Sequence, residues 1–207
     1  MPELPEVETV RRGLQPVMEG QTFTRVEQRR KDLRFPLPRN FGKRLEGQRL
    51  VRLDRRAKYL VGHLDSGEVL AMHLGMSGRF SILQGGAAAP PGAFVHETGG
   101  DQKHDHIVFH MSGGATVTYN DPRRFGFMDL IEGAAFASHK LFRDIGIEPL
   151  GGELTPAFLA RAARDKKTDL KAFLLDQRIV CGLGNIYVCE ALYRARLSPL
   201  KGAKSLA

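Results

Sequence analysis

Two short glycine turns, each set between runs of alternating apolar and polar residues, constrain the fold of this chain most. Asp65-Ser66-Gly67 separates residues 59–64 from 68–74, and Ser112-Gly113-Gly114 separates 105–111 from 115–119. Alternation with a period of two gives a strand one buried and one wetted face, and a tight glycine turn between two such runs predicts a hairpin. Residues 49–53 alternate in the same way. From about residue 22 to 131 the pattern is one of several short antiparallel strands with few helices, which predicts a β-sandwich. Within it, residues 84–102 are rich in Gly, Ala and Pro, the composition of a mobile surface loop.

Helical periodicity brackets this region. Over residues 5–19, Val7, Val10, Leu14 and Val17 recur at near-helical spacing. Glu6 and Glu8 lie early, Arg11 and Arg12 follow, and Gly20 supplies a stop. After Pro149 the character changes again. Thr155-Pro156 opens a predicted helix through Ala163, residues 169–178 predict a second, and residues 185–194 a third after the break Cys181-Gly182-Leu183-Gly184. The fold class is therefore α+β. A β-sandwich domain with flanking helices covers residues 1–149, and a helical domain covers 150–207. The sequence contains no internal repeat.

The net charge of +8 is concentrated. Residues 25–58 hold thirteen Lys or Arg and four Asp or Glu, a local +9, so the remainder of the chain is at −1. Such a block suits a polyanion, the nucleic acid backbone above all, or forms a solvated face with scattered counter-charges. A membrane surface is disfavoured, because no amphipathic basic helix accompanies the block. No apolar run approaches bilayer length, and the acidic N-terminus lacks the apolar core of a signal peptide. Two cysteines, Cys181 and Cys189, cannot build a disulfide framework and point to a reducing, cytoplasmic compartment.

The chain begins Met1-Pro2-Glu3-Leu4-Pro5-Glu6. Loss of the initiator Met, which the small Pro2 side chain favours, leaves a proline nitrogen as the terminal secondary amine. An α-amine titrates at about 8, and proline's is somewhat more basic, so a minority is neutral and nucleophilic at neutral pH. Such an amine can attack a sugar carbon and form a cationic imine that acts as an electron sink. Glu3 and Glu6 stand beside it as proton donor and orienting group. The simpler reading of the same residues is that Pro2 and Pro5 only start a helix.

Four segments, the run from Met1 to Thr9, Arg55-Arg56-Ala57-Lys58-Tyr59-Leu60, His73-Leu74-Gly75-Met76-Ser77-Gly78 and Asp121-Pro122-Arg123-Arg124-Phe125-Gly126, are joined by a fifth, Gly182-Leu183-Gly184-Asn185-Ile186-Tyr187. In this order and spacing the chain resembles bacterial formamidopyrimidine-DNA glycosylase, from residue 1 to about 200. The resemblance implies a base-excision-repair glycosylase and abasic-site lyase acting on oxidised purines in double-stranded DNA. Pro2 would attack C1′ of the damaged nucleotide and displace the base, and the iminium would drive elimination of the strand phosphates. Glu3 resembles the family's proton donor and Glu6 its supporting carboxylate. Lys58, in a predicted turn before a strand, would contact the phosphates and donate a proton; bare of its flanking match, it reads as one more surface lysine.

A base inside a duplex must be flipped out to be reached, and its place filled. Met76, Arg123 and Phe125 match the residues that do this, against the alternative that Met76 and Phe125 pack in a core. Gly75, Gly78 and Pro122 favour loop tips. Lys166 and His104 match DNA-contacting positions, with Lys167 and Lys171 as neighbours of the former. Asn185, after two glycines at a helix start, can bind a phosphate with the backbone amides there. The segment 166–197 resembles a helix–two-turns–helix. Read alone, Lys103-His104-Asp105-His106 could suggest a metal site, but no further ligand set accompanies it.

The family normally ends in a zinc finger of four cysteines, and this chain stops at Ala207 without one. Cys181 and Cys189 are eight apart and read as structural, so no zinc is expected in these residues. A truncated product that binds DNA weakly and cuts slowly is expected, working as a monomer in the bacterial cytoplasm and at the nucleoid when on DNA. A non-catalytic module for damaged DNA, or a relative of the endonuclease VIII branch acting on oxidised pyrimidines, are the alternatives. The continuation Leu4 to Thr9 and the set Met76, Arg123 and Phe125 favour the purine branch.

Overall fold

The computed structural model describes residues 2–85, 87–89 and 102–206. The order of elements in the first part is α1 (Leu4–Met18), β1 (Phe23–Gln28), α2 (Phe41–Leu45), β2 (Leu50–Arg56), β3 (Tyr59–Leu64), β4 (Glu68–His73), β5 (Arg79–Gln84), β6 (Ala87–Ala89), β7 (Asp105–Met111), β8 (Thr116–Asn120) and β9 (Phe127–Glu132). Three helices follow: α3 (Pro156–Ala163), α4 (Leu170–Leu175) and α5 (Asn185–Arg194). The chain divides into two compact units, Met1–Phe136 and Ala137–Ala207. The division falls ahead of the helices, in the segment that follows β9.

The first unit holds two antiparallel sheets. One runs β1-β7-β8-β5-β6 and the other β2-β3-β4-β9. Both glycine turns make the hairpins their sequences predict, β3–β4 and β7–β8, with Gly67 and Gly114 at positive φ where a side chain would be strained. Phe23, Phe109 and Val117 from the first sheet and Leu50, Leu53, Leu60 and Leu70 from the second are fully buried in one cluster. The same cluster takes in Val7, Val10, Leu14 and Met18 of α1. Burying side chains of this size is worth roughly 1.5–3 kcal/mol each. It fixes the helix, and therefore the start of the chain, against the sheets.

The structure departs from the sequence-based expectations in several places. The strand region is interrupted by α2, which opens after Asn40 in the left-handed conformation (φ 57°) and buries Phe41 and Leu45. Residues 169–178 form only the six-residue α4. Asp169 caps it, its side chain accepting from the Ala172 N–H at 2.7 Å, but it stops at Leu175. Beyond that point Asp176 bonds back to the backbone and guanidinium of Arg178 and starts a turn instead. Most of the predicted loop at 84–102 lies outside the described residues; Gln84 ends β5, and Ala87–Ala89 pair with that strand.

The second unit has its own core of Leu170, Phe173, Val180, Val188 and Leu192, with Ala163 and Ala203. Thr155 caps α3 by accepting from the Phe158 N–H at 3.1 Å, as the Thr-Pro start predicts. Among the described residues no helix is long and apolar enough to cross a membrane.

A charged clamp joins α1 to β2. Glu8 accepts from Arg11 (2.9 and 3.0 Å) and Arg12 (2.8 Å) on its own helix, and Arg55 of β2 lies 3.4 Å away. Arg11 also donates to the Leu53 carbonyl at 3.2 Å, and the Leu53 N–H donates to Glu19 at 2.9 Å. The Arg11 hydrogen bonds, followed by Arg12 and the field of Arg55, hold the Glu8 carboxyl down at about 2 against its burial. Its folded pKa lies below the unfolded one. The stabilisation is therefore present above about 4.5 and is lost as the pH falls through 2. Glu8→Gln is expected to cost about 1–3 kcal/mol at neutral pH and to flatten the acid limb of the stability curve between those values, measured by urea unfolding across pH. An unchanged acid limb in the variant would show that the clamp contributes nothing.

Candidate functional site

The start of the chain is built around α1. The helix begins at Leu4, with Pro5 in its first turn, where a missing N–H costs nothing. Pro2 stands outside it, one residue ahead of the N-cap Glu3, so helix initiation accounts for Pro5 but leaves Pro2 unexplained. Glu3 and Glu6 form a reciprocal capping box: the Glu3 N–H donates to Glu6 Oε2 at 2.9 Å, and the Glu3 side chain takes the Glu6 N–H. Glu3 is 2% exposed. The two carboxylates are thus brought together directly beside Pro2, the first buried and the second holding its backbone.

Lys58 occupies a two-residue turn between β2 and β3, where Ala57 takes a positive φ of 52°. Arg55 steadies that turn by donating to the Ala57 carbonyl at 2.8 Å, and Arg55 is the residue that Glu8 clamps. The clamp therefore ties the Lys58 turn to the helix that carries Pro2. At 8% exposure Lys58 is no surface lysine. An aliphatic stem and ammonium are held largely out of water at this turn.

His73, at the end of β4, belongs to one of the sequence motifs, but nothing in the sequence alone singles it out. Its ring stacks on Phe127 (centroids 5.2 Å apart, 11° between planes) and lies 4.9 Å from Tyr59. Nδ1 faces the Gly75 N–H at 3.0 Å and accepts from it, which leaves the ring proton on Nε2. Burial first, then the positive charges of Lys58 and Arg34, lower its pKa to about 4. At neutral pH it is an uncharged imidazole with one N–H to donate. Its neutral state depends on burial and on Lys58 and Arg34, residues distant in the sequence, so no local signal marks it.

The three insertion candidates converge. Leu33, Arg34, His73, Gly75, Met76, Arg123, Arg124 and Phe125 line one cavity of about 570 Å³. Met76 is 43% and Phe125 41% exposed, so neither packs in the core. The Arg123 guanidinium sits 4.7 Å over the Phe125 ring. The loops that carry them touch backbone to backbone. A Cβ on Gly75 would lie 2.3 Å from Gly126 N and Phe125 C, and Gly75 itself has a φ of +64°. A Cβ on Gly126 would meet the Tyr119 hydroxyl at 1.8 Å. Only glycine fits at either position.

His104 ends a short 3-10 turn, half-buried, with its carbonyl accepting from the Asp121 N–H at 3.0 Å. His106 is buried, and its Nε2 lies 2.8 Å from the Asp121 carbonyl. Among the described residues no group of three or more His, Cys, Asp or Glu side chains could hold a metal ion. Cys181 is buried with its thiol 3.4 Å from Glu148, and Cys189 is exposed with its thiol 3.9 Å from the Asn185 side chain. Two thiols so engaged do not fit a four-cysteine zinc centre.

In the second unit Asn185 is the exposed first residue of α5, after the N-cap Gly184. Gln177 shapes the approach: it accepts from the Gly182 N–H at 2.9 Å and donates to the Leu183 carbonyl at 2.8 Å. Lys166, half-buried, lies near enough to Asp176 to help lower that carboxyl's pKa, after the larger effect of Arg178.

Burial of a neutral His73 has a sign that can be tested. Its folded pKa lies below the unfolded value, so the unfolded chain takes up the proton first as the pH falls. Stability should drop from about 6.5 down to about 4. His73→Asn keeps an acceptor near Gly75 without a group that titrates there. It should remove roughly 1–3 kcal/mol of that decline, read from denaturant midpoints at pH 7 and pH 4.5. A decline as steep as in the unaltered protein would mean that the ring is charged in the fold.

The likeness to known proteins agrees with this geometry. The formamidopyrimidine-DNA glycosylase N-terminal domain matches residues 1–128, and the H2TH domain of the same enzymes matches residues 145–207. Formamidopyrimidine-DNA glycosylase of Rhizobium etli is 56% identical over the whole chain, and that of Beijerinckia indica 60%; the chain spans 71% and 70% of their lengths. The crystal structure of MutM (Fpg) from Thermus thermophilus superposes with a TM-score of 0.80 at 37% identity, covering all of this chain and 69% of that one. Lactococcus lactis Fpg bound to DNA containing N7-benzyl-Fapy-dG gives 0.83 at 31%, covering all of this chain and 72% of that one. With both domains matched in order along one polypeptide, this chain belongs to the formamidopyrimidine-DNA glycosylase family.

Proposed function

We propose that the protein is a base-excision-repair DNA glycosylase and abasic-site lyase that removes oxidised purines from double-stranded DNA, with the Pro2 nitrogen as its nucleophile. One observation carries the reading: Pro2 lies outside the helix start, beside a buried Glu3 whose backbone Glu6 holds. The relatives are named for glycosylase activity, and the Lactococcus lactis protein is seen with DNA carrying a Fapy-dG derivative or an abasic site.

Once Met1 is removed, the Pro2 lone pair bonds to C1′ of the damaged nucleotide. The bond from C1′ to the base breaks, and the base leaves with the electron pair and a proton. Opening of the sugar at O4′, with a proton supplied from the Glu3 carboxyl, gives the iminium. That cation acidifies C2′–H; loss of the proton expels the 3′ phosphate, and a second elimination expels the 5′ phosphate. Water then hydrolyses the imine and frees the protein. Lys58 holds the neighbouring phosphates and donates a proton to the leaving group. Met76, Arg123 and Phe125 fill the space of the everted nucleotide, with the apolar pair as wedge and the guanidinium paired to the orphaned base. His104 in the catalytic domain, and Lys166 and Asn185 in the helical domain, bind the strand backbone.

Borohydride reduces such an iminium to a stable amine. Incubation with an 8-oxoguanine duplex and borohydride should give a protein–DNA adduct that peptide mapping places on Pro2. A chain with an uncleavable residue ahead of Pro2 should lose the adduct by about 100-fold or more, equal to about 3 kcal/mol of barrier. Attachment to a lysine, or an undiminished yield from the extended chain, would overturn the assignment. No adduct from the unaltered chain would favour a binding module without chemistry.

A further inference from the structure

Asp121 lies in neither set of residues assigned above, yet it is fully buried, and both of its carboxylate oxygens are hydrogen-bonded. Its Oδ1 accepts a short hydrogen bond from the Ser77 hydroxyl. Its Oδ2 accepts from the Gly126 N–H at 2.8 Å and the Tyr119 hydroxyl at 3.2 Å. Ser77 in turn accepts from the Arg123 N–H at 3.2 Å. The main chain of Asp121 adds three bonds, with its N–H to the His104 carbonyl and its carbonyl to the Arg124 N–H and the His106 ring. Tyr119 stays a phenol, since burial and then the Asp121 charge push its pKa well above 10, and so it remains a donor.

Three loops therefore end on one residue: that of Met76 through Ser77, that of Arg123 and Phe125 through Gly126, and that of His104 through the backbone. A buried carboxylate is tolerated only when its oxygens are satisfied, and here every bond that satisfies them comes from a loop expected to touch DNA or from the strand behind it. Moving one loop alone would leave Oδ1 or Oδ2 short of a donor in a dry site. The same two loops are in backbone contact at Gly75 and Gly126, with no room for a Cβ between them.

We propose that Asp121 is a positioning residue for base eversion, its carboxylate coupling the Met76 loop to the Arg123–Phe125 loop so that the three side chains enter the duplex as one rigid wedge. The inference rests on the reading that these side chains fill the place of an everted nucleotide. It separates two steps of the reaction. Excision from a duplex needs the wedge; an abasic site in a single strand leaves no stack to open and no void to fill.

The test uses Asp121→Ala, Asp121→Asn and Ser77→Ala in the full chain, each assayed by single-turnover cleavage of an 8-oxoguanine duplex and of a single-stranded abasic oligonucleotide. Asp121→Ala should lose about 100-fold on the duplex and less than about 5-fold on the single strand. Asp121→Asn, which keeps an acceptor for Gly126 and Tyr119, should recover part of the duplex rate. Amide exchange supplies a reading that does not depend on activity or on the harsher variant folding. Ser77→Ala should speed exchange across 121–126 as well as 74–78. Equal losses on both substrates, or faster exchange confined to 74–78, would overturn the coupling. Unaltered protein that cleaves and traps neither substrate would sink the catalytic reading instead, and the exchange result would then decide the coupling by itself.

Discussion

The apolar stripe of α1 is the contact on which the rest depends. A chain terminus is ordinarily the least fixed part of a protein. Here Val7, Val10, Leu14 and Met18 bury the first helix in the core shared by both sheets, and the Glu8 clamp locks its outer side to β2. Proximity accelerates a reaction only when the group is held, and the nucleophile proposed at Pro2, one residue ahead of a helix cap, would inherit the order of that helix. The capping box extends the same order to the terminal residues, because each carboxylate is tied to the backbone of the other.

The two loops that carry Met76 and Phe125 use a different device. Those side chains are exposed, so packing cannot place them. Glycines bring two loops into backbone contact, and a buried carboxylate collects the donors that result. The aromatic floor of Tyr59, His73 and Phe127 lies behind them, and its imidazole is kept neutral beside cationic side chains. The unit thus leaves Met76, Phe125 and the Arg123 guanidinium at its surface while keeping the Asp121 carboxylate buried and bonded.

Much of this was legible in the sequence where the cause is local. Residues 59–64, 105–111, 156–163 and 185–194 form the predicted elements to the residue, because alternation, glycine turns and a Thr-Pro cap act within a few positions. The helix α2 was not legible: it sits in a basic, proline-flanked stretch, and its buried Phe41 and Leu45 read as a helix only against the sheet they cover. The second helix of the C-terminal unit is shorter than its periodicity suggests, because periodicity does not show that Asp176 will turn back to Arg178. In the site, the family resemblance pointed to Met76, Arg123 and Phe125, and the glycines and proline beside them suited loop tips, but their convergence on one cavity is tertiary. Asp121 and the neutral state of His73 depend on partners far along the chain.

The sheet order carries a consequence for the nascent chain. β1 pairs with β7, so that Phe23 meets Met111, and it stands at the edge of its sheet beside that strand. During synthesis the first sheet therefore cannot close until residue 111 has been made, although β1 begins at residue 23. The apolar stripe of the first helix, buried in a core that both sheets supply, completes its packing equally late.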